Sequence, residues 1–454
     1  MYKLMTNSGS LVKSIAGFIG IALLVPLLSA KVPLNSKPIG NETAVKAADF
    51  LNSIGVNSAI SKRGESLDKT IELMKYTGIR WIRAGYEGDI PDADFITLHK
   101  ETGVRFSYGL LSGGTDIKRL LAGARKLDAV GALLAFEGSN EPNNWGFKYK
   151  GVEGGKNLTW LPIAQLQRDL YHAVKSDATL KKYPVWDLCE NGAQTDNVGL
   201  QFLEIPKGAG TLMPDGTKYA DFATCHNYFS HPSHPGLYDN QTWNAADPGP
   251  LCKVDGLYGN YGKTWRGKHQ GYTEKELLTL PRVTTETGVT LTDEINEEKQ
   301  ARLYLNLYLS QFKRNWSYTA VYLLRDRVDE AGNQTFGFYK PDYSPRKAAI
   351  YLHNLTTILA DKPSKFKTEE LSFEIVDQPE TVHHLLLQKS NGKFELVIWG
   401  EKVKGTEEIE VKLGKVHPLI KVYDPTKGTG ASQTLSKVSS VKLAISDHPF
   451  IIEI

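Results

Sequence analysis

Cysteine is scarce in this chain, with 3 in 454 residues. So few cysteines exclude a small scaffold framed by disulfides, and an odd number leaves at least one without a partner in the same chain. Cys189 and Cys225 lie in apolar, strand-like runs, where a thiol acts as a small hydrophobic side chain. A disulfide between Cys225 and Cys252 is compatible with the sequence, which leaves the pairing open.

Several functional motifs are also missing. The 54 basic and 51 acidic residues nearly balance, for a formal charge of +3, and the chain has no dense Lys/Arg tract. This balance argues against a nucleic-acid partner. There is no Gly-x-Ser-x-Gly elbow of serine hydrolases and no Walker-type phosphate loop. The first predicted strand is not followed by a Gly-rich phosphate-binding turn, which argues against a doubly wound dinucleotide-binding sheet.

The apolar run of greatest length lies near the N-terminus. Lys3 and Lys13 precede an apolar run over 15–28, and two small residues follow at 29–30. This pattern predicts a signal peptide over 1–30 and a secreted or periplasmic protein, with a retained N-terminal anchor as the alternative. No later segment has roughly 18 uninterrupted apolar residues, so we expect a soluble mature chain without an integral membrane span.

Short apolar runs alternate with helical patterns between residues 50 and 360. Eight strands that alternate with helices predict a (β/α)8 TIM barrel rather than an open sheet. The aromatic and proline-rich stretch 229–280 interrupts the alternation and is expected to be an elaborated loop over the barrel mouth. The predicted strands are 53–57, 80–85, 104–110, 133–138, 184–189, 221–228, 282–286 and 318–324, and the predicted helices are 67–76, 116–127, 163–174, 297–313 and 345–360.

After residue 360 the chain changes to alternating apolar and polar residues separated by turns. This alternation predicts a C-terminal antiparallel β-sandwich, which we expect to brace the barrel rather than to bind sugar. The predicted organisation is therefore a signal peptide over 1–30, an N-terminal segment over 31–49, a catalytic barrel over 50–360 and a sandwich over 361–454.

Two acidic residues stand where predicted strands end. Glu141 follows the fourth strand in Phe-Glu-Gly-Ser-Asn-Glu-Pro-Asn, and Glu286 ends the seventh in Arg-Val-Thr-Thr-Glu-Thr-Gly. TIM barrels keep their chemistry at this end of the strands, and strands four and seven stand roughly across the mouth. Two facing carboxylates are the minimum equipment for cleaving a glycosidic bond. The alternative is structural: a strand-end or helix-start carboxylate at Glu141, and a buried acid paired with Arg282 or Arg325 at Glu286.

The motif Asn140-Glu141-Pro142 after a fourth strand, with Thr-Glu-Thr-Gly around Glu286 after a seventh, resembles the clan A retaining glycoside hydrolases, which have TIM barrels. The resemblance covers residues 50–360 in outline. It extends to the sandwich appended in the β-xylosidase, α-iduronidase and β-glucuronidase families. It implies that Glu141 is the acid/base and Glu286 the nucleophile.

Further positions match the pattern of that clan. The resemblance implies that Asn140 binds the 2-hydroxyl of the sugar and that Arg83, His226 and Tyr228 lie beside the nucleophile. Many clan members place a tryptophan at the end of the eighth strand as a floor for the sugar ring. Here Tyr322 stands in that segment, so either Tyr322 takes this place or the floor is missing.

Aromatic residues and histidines supply the remaining candidates. Trp145, Trp243 and Trp265 are candidate platforms for sugar rings, with packing in the core or in a loop as the alternative. His226 and the two histidines in 231–235 raise the question of a metal, but His-Pro-Ser-His-Pro has no established ligand spacing. The sequence therefore predicts neither a metal nor a cofactor.

These observations together predict a secreted retaining glycoside hydrolase that cleaves an oligo- or polysaccharide. We expect the charge of Glu286 and partial burial to raise the pKa of Glu141, and Arg83 and Tyr228 to keep Glu286 ionised. The main alternative is a non-catalytic carbohydrate-binding protein on the same fold, and a metal-dependent hydrolase is a further one. The sugar, the linkage, exo or endo action and the oligomeric state stay open.

Overall fold

The computed structural model describes residues 39–88, 90–189, 197–230, 236–248, 269–329 and 335–454. The predicted signal peptide, Cys252, Trp265, His231 and His234 lie outside these ranges. Within them, none of the helices has the length and apolar character needed to cross a membrane.

The strands and helices are numbered separately in chain order. The strands are β1 (Gly40–Thr43), β2 (Val45–Lys46), β3 (Ile54–Asn57), β4 (Trp81–Ala84), β5 (Arg105–Gly109), β6 (Leu133–Glu137), β7 (Phe147–Tyr149), β8 (Val152–Gly154), β9 (Val185–Trp186), β10 (Ala223–Thr224), β11 (Arg282–Thr287), β12 (Trp316–Val321), β13 (Glu370–Ile375), β14 (Val382–Gln388), β15 (Phe394–Gly400), β16 (Glu407–Tyr423), β17 (Ala431–Ile445) and β18 (Pro449–Glu453). The helices are α1 (Ala47–Ser53), α2 (Leu67–Thr77), α3 (Asp92–Thr102), α4 (Ile117–Asp128), α5 (Leu161–Ser176), α6 (Gln241–Ala245), α7 (Glu274–Thr279), α8 (Glu297–Lys313) and α9 (Lys347–Ile358).

Eight parallel strands form a barrel, in the order β3, β4, β5, β6, β9, β10, β11 and β12. β12 pairs with β3, and a parallel bridge between Trp186 and Phe222 joins β9 to the start of β10. Each strand lies at or beside a predicted position. The predicted (β/α)8 barrel is therefore confirmed.

The barrel interior has an apolar floor beneath a polar layer. The ring of Trp81 lies 5.5 Å from Trp186 and 5.8 Å from Tyr318. A Cβ on Gly55 would lie 2.1 Å from the Trp81 ring, so only glycine fits there. Because side chains alternate along a strand, Arg83 points into the same interior as Trp81 but nearer the carboxyl end of β4. The sequence thus places a cation directly above the apolar floor.

The helices around the barrel begin and end at favourable capping residues. The Ser66 side chain accepts a hydrogen bond from the Lys69 amide at the start of α2, and Gly78 ends that helix with φ 70°. Helix α3 was not predicted, because only Phe95 and Leu98 are buried along its length. Such a short apolar stripe gives a weak helical signal.

The second sheet contains β13 to β18 and, in addition, β1 and β2 from the N-terminal segment. β1 pairs antiparallel with β13, whereas β2 pairs parallel with β14. The sheet is therefore neither wholly C-terminal nor wholly antiparallel. The register of β16 shifts between the part that pairs with β13 and the part that pairs with β18. Side chains from both parts of β16 lie in one apolar core, which includes Phe373, Leu396 and Val411.

Barrel and sandwich belong to one compact unit over residues 39–454. The side-chain amide of Asn306 in α8 donates to the Gly400 carbonyl at 2.8 Å. Glu401 of the sandwich accepts hydrogen bonds at 2.8 Å from the Thr242 amide and from the Ser310 hydroxyl. A sandwich that braces the barrel must be bonded to it, and these hydrogen bonds supply such contacts.

Candidate active site

Arg83 is the centre of a buried polar cluster at the carboxyl ends of the barrel strands. Its Nε donates to Oε1 of Glu137 at 2.8 Å, and its Nη2 donates to Oδ1 of Asn140 at 2.8 Å. Its Nη1 forms an ion pair with Oε1 of Glu286. The side chain is 1% exposed, so these charge-assisted bonds form away from water, where they are strongest. One guanidinium thus orients groups from strands four and seven.

Glu286 is held at both of its oxygens. Arg83 binds Oε1, and the Tyr228 hydroxyl donates to Oε2 at 2.9 Å. The pairing of β11 with β12 is irregular twice, on either side of Thr284. Such irregularities re-aim side chains next to active sites, and Glu286 lies in the second irregular stretch.

Glu141 stands in the turn after β6 with an unusual backbone. Its φ is 39°, a left-handed value that non-glycine residues rarely adopt, and Pro142 follows directly. Its Oε2 accepts a hydrogen bond from the side-chain amide of Asn144 at 3.0 Å. The turn therefore fixes the direction in which this carboxylate points.

His226 lies between the two carboxylates. Its Nδ1 is 2.8 Å from Oε1 of Glu141 and 3.5 Å from Oε2 of Glu286, and its Nε2 is 3.2 Å from the Thr285 hydroxyl. One carboxylate oxygen of Glu141 lies within 4.8 Å of one of Glu286. The pair that the sequence placed on opposite strands is therefore close enough to act on a single bond.

The pKa shifts at the two carboxyls are opposite to the expected ones. Burial raises the pKa of Glu141, but the hydrogen bond and charge of His226 outweigh it and bring that pKa below its ordinary value. Burial raises the pKa of Glu286, and the charges of His226 and Arg83 only partly oppose this. The expectation of a raised pKa at Glu141 is therefore wrong. The sequence places His226 beside Glu286 but does not predict its contact with Glu141 at 2.8 Å.

The imidazole accounts for the direction at Glu141, whereas at Glu286 it opposes the effect of burial. Burial lowers the pKa of His226, but its interactions with Cys189, Glu286 and Glu141 raise that pKa well above its ordinary value. The pKa values of His226 and Glu141 thus shift in opposite directions, as in a hydrogen-bonded pair of a base and an acid.

Two contributors to the site were missed by the sequence. The Cys189 sulfur accepts from the Glu141 amide at 3.4 Å, and it lies 3.6 Å from Nη2 of Arg83. The guanidinium of Arg83 lies over the Tyr86 ring, 4.9 Å from its centroid. Tyr86 lies two positions after β4 and Cys189 three positions after β9, at the end of the barrel where the site was expected. This position at the carboxyl ends of the strands was the only feature of the sequence that could have indicated the two residues.

Tyr322 lies at the end of the eighth strand, as predicted, among other aromatic side chains. The Phe336 ring is 5.8 Å from Tyr322 and 5.8 Å from Tyr228. Tyr228 binds Glu286, so this aromatic group adjoins the candidate nucleophile. The exposed surface of Tyr322 is small, at 7%.

The predicted tryptophan platforms differ in their surroundings. Trp145 follows Glu141 in the same turn and is 56% exposed. Trp243 instead stacks on His383 at 3.9 Å and lies under the guanidinium of Arg314 at 4.0 Å. These contacts place Trp243 at the junction with the sandwich, so the prediction of a sugar platform there is wrong. Trp265 lies outside the described residues.

The fold and its paired carboxylates define a (β/α)8 barrel with a polar centre at the catalytic end. No protein-family model matches the sequence, and no curated protein matches it. Solved structures do resemble it. A family 39 glycoside hydrolase from Bacteroides cellulosilyticus has 16% identity and a TM-score of 0.54, over 89% of this chain and 82% of that one.

Two further solved structures resemble the chain over nearly its whole length. A monomeric β-xylosidase from Caulobacter crescentus has 13% identity and a TM-score of 0.52, with 92% of this chain and 97% of that chain covered. A family 51 α-L-arabinofuranosidase from Bifidobacterium longum has 11% identity and a TM-score of 0.51, with 91% and 97% covered. At such identities the likeness establishes the fold, a TIM barrel with an appended sheet domain, which glycoside hydrolases use.

Proposed function

We propose that the protein is a retaining glycoside hydrolase that acts on an oligo- or polysaccharide. The observation that carries the proposal is the close pair of Glu141 and Glu286, with oxygens within 4.8 Å. Retention needs carboxyl groups about 5–5.5 Å apart, whereas inversion leaves about 6.5–9.5 Å for a water molecule. The short separation supports direct attack by one carboxylate.

Glu286 is the nucleophile in this proposal. One of its oxygens forms a bond to the anomeric carbon while the bond to the leaving-group oxygen breaks and that oxygen takes a proton from Glu141. Water then attacks the same carbon, gives its proton to Glu141 and releases Glu286. Arg83 and Tyr228 support this role, since each donates to one carboxylate oxygen and so fixes the carboxylate plane.

His226 supplies Glu141 with its proton. The pKa of Glu141 is lowered and that of His226 is raised, so the imidazole is the proposed source of this proton. The distance of 2.8 Å from Nδ1 to Oε1 allows the proton to move to Glu141 when a leaving-group oxygen approaches. Glu141 is thus an acid only when substrate is bound.

Trp145 is proposed as the platform for the leaving-group sugar. Its amide donates to the Glu141 carbonyl at 2.8 Å, so the exposed ring stands beside the residue that protonates the leaving oxygen. We expect Trp145→Ala to raise KM for oligosaccharides by about two- to tenfold, because ring stacking contributes about 0.5–1.5 kcal/mol. Glycosyl fluorides, whose leaving group has no ring, should be unaffected. Leu158→Ala, which removes another exposed apolar side chain from this loop, is the control.

The test of the function is hydrolysis of a panel of aryl glycosides and polysaccharides by wild type, Glu286→Ala and Glu141→Ala. Both variants should lose activity, and azide should restore turnover with glycosyl azides of opposite anomeric configuration. Glu153→Ala, on the exposed hairpin that follows the acid turn, is the matched control. Activity that survives Glu286→Ala contradicts the mechanism. A wild type that binds glycans but cleaves none supports the carbohydrate-binding alternative.

Secretion is part of the proposal and depends on the predicted signal peptide over 1–30. We expect the mature protein, expressed with its full leader in a bacterial host, to be exported and to begin at Lys31. N-terminal sequencing of the exported protein tests this, and a mature chain that retains residues 1–30 contradicts it.

A further inference from the structure

Ligand-type side chains form a continuous group inside the barrel mouth. One donor atom each from Glu137, Cys189 and His226 lie within 4.8 Å of one another, and the same holds for Glu141, His226 and Glu286. His226 belongs to both sets and joins them. These residues, Glu137, Glu141, Cys189, His226 and Glu286, are called the cysteine–histidine cluster.

The sulfur of Cys189 lies among polar groups. The Glu141 amide donates to it from 3.4 Å and Nη2 of Arg83 from 3.6 Å, while the thiol donates to the Ser139 carbonyl at 3.4 Å. A cysteine binds a metal through its thiolate, so a bound metal displaces the proton that this thiol donates to Ser139. The buried sulfur is therefore more than a small hydrophobic group.

The charges of the cluster favour a further cation. The carboxylates of Glu137, Glu141 and Glu286 surround the single guanidinium of Arg83. The guanidinium offsets only part of this negative charge. A divalent cation bound in the cluster would offset more of it, with the imidazole as a neutral ligand.

The donor types indicate which cation fits. Thiolate, imidazole and carboxylate together are the ligands of Zn²⁺, whereas Mg²⁺ and Ca²⁺ prefer oxygen alone. We propose that the cysteine–histidine cluster binds a zinc-class divalent cation reversibly, with Cys189 and His226 as ligands and a glutamate completing the site. The Cys189 thiol releases its proton to solvent on binding, His226 binds through a neutral ring nitrogen, and no electron is transferred.

Binding of this ion inhibits hydrolysis. The ion competes with Glu141 for the imidazole and so removes the proposed source of the proton that Glu141 donates. This consequence rests on the proposed hydrolase function, whereas the binding site itself does not. The two are therefore measured separately.

Binding is tested by titration of the full chain with Cd²⁺, because a cadmium–thiolate bond gives an ultraviolet charge-transfer band. The wild type should show the band, and Cys189→Ser should lose it and bind Cd²⁺ at least about tenfold more weakly. Cys225→Ser is the matched control, since Cys225 lies in a different buried cluster with Ala223 and Trp316. His226→Gln is the second variant, and it should keep the band but weaken affinity.

Inhibition is tested with Zn²⁺ and a chelator in the hydrolysis assay. Zn²⁺ should lower the rate, and the chelator should restore it in full. A wild type without the band, or a band that survives Cys189→Ser and vanishes in Cys225→Ser, overturns the site. Activity that a chelator abolishes overturns the inhibitory role. If the band appears but the protein hydrolyses no substrate, the metal site is supported and the hydrolase proposal is rejected.

Discussion

Two buried glutamates show how similar side chains serve different purposes in this molecule. Glu401, at the junction of barrel and sandwich, accepts hydrogen bonds from the Thr242 amide at 2.8 Å and from the Trp243 amide at 3.1 Å. Glu286, at the barrel mouth, binds the cation of Arg83 and lies close to a second carboxylate. Burial raises the pKa of both.

The difference lies in the partners. The donors of Glu401 are neutral: amide and hydroxyl groups of the barrel and the Trp399 indole of the sandwich, which makes the carboxylate an anchor between the two parts. Glu286 lies close to Glu141 and His226, so its ionisation is coupled to theirs. Burial alone therefore does not mark a catalytic acid. A catalytic acid is marked instead by neighbouring groups whose ionisation is coupled to its own.

The largest expected effect is that of Glu286→Gln. We expect kcat to fall by at least about 10⁴-fold, as with other catalytic residues that act as a unit. The melting temperature should stay the same or rise, because one of two adjacent negative charges is removed. Steady-state kinetics and calorimetry measure both quantities. A variant that unfolds instead would show that Glu286, like Glu401, is structural.

Glu401→Ala should show the reverse pattern. The free energy of unfolding should fall by about 2–4 kcal/mol, because buried donors at Thr242, Trp243 and Ser310 lose their acceptor. The folded fraction should keep a kcat near that of the wild type. Denaturant titration measures the loss, with the exposed Glu408→Ala as control. A large fall in kcat without loss of stability would contradict the anchoring role.

The smallest effect is a change in pH dependence in His226→Gln. The hydrogen bond and charge of His226 lower the pKa of Glu141, so their removal should raise it. Because His226 is the proposed source of the proton that Glu141 donates, the basic limb of kcat/KM in the wild type follows the raised pKa of the imidazole, and without the imidazole the limb should move to lower pH. A pH profile shows this shift. A limb that stays in place or moves to higher pH would contradict the role of His226 as the proton source.

Much of the barrel could be predicted because its strands are buried on both faces. Such strands appear as short apolar runs, and the eighth, predicted over 318–324, overlaps β12 at Trp316–Val321. Helix α3 was missed, since a helix that buries only Phe95 and Leu98 has little periodicity. Pairing of β1 with β13 depends on residues far apart in the chain, which no local pattern records.

The sequence predicted which carboxylates form the candidate site, but it did not predict the directions of their pKa shifts. Strand ends indicated Glu141 and Glu286, and the clan resemblance added Arg83 and Tyr228. The direction of a pKa shift depends on which group is nearest. Distances of a few ångströms between His226 and its neighbours decide it, and they follow from packing rather than from sequence.

The pairing of β1 with β13 also bears on how the protein is made. Asn41 and Glu370 are 329 positions apart in the chain, yet they are hydrogen-bonded side by side. During synthesis β1 leaves the ribosome early and has no partner until the whole barrel has been translated. A chain interrupted before β13 therefore leaves β1 with an unpaired edge, and a complete sandwich forms only on a completely translated barrel.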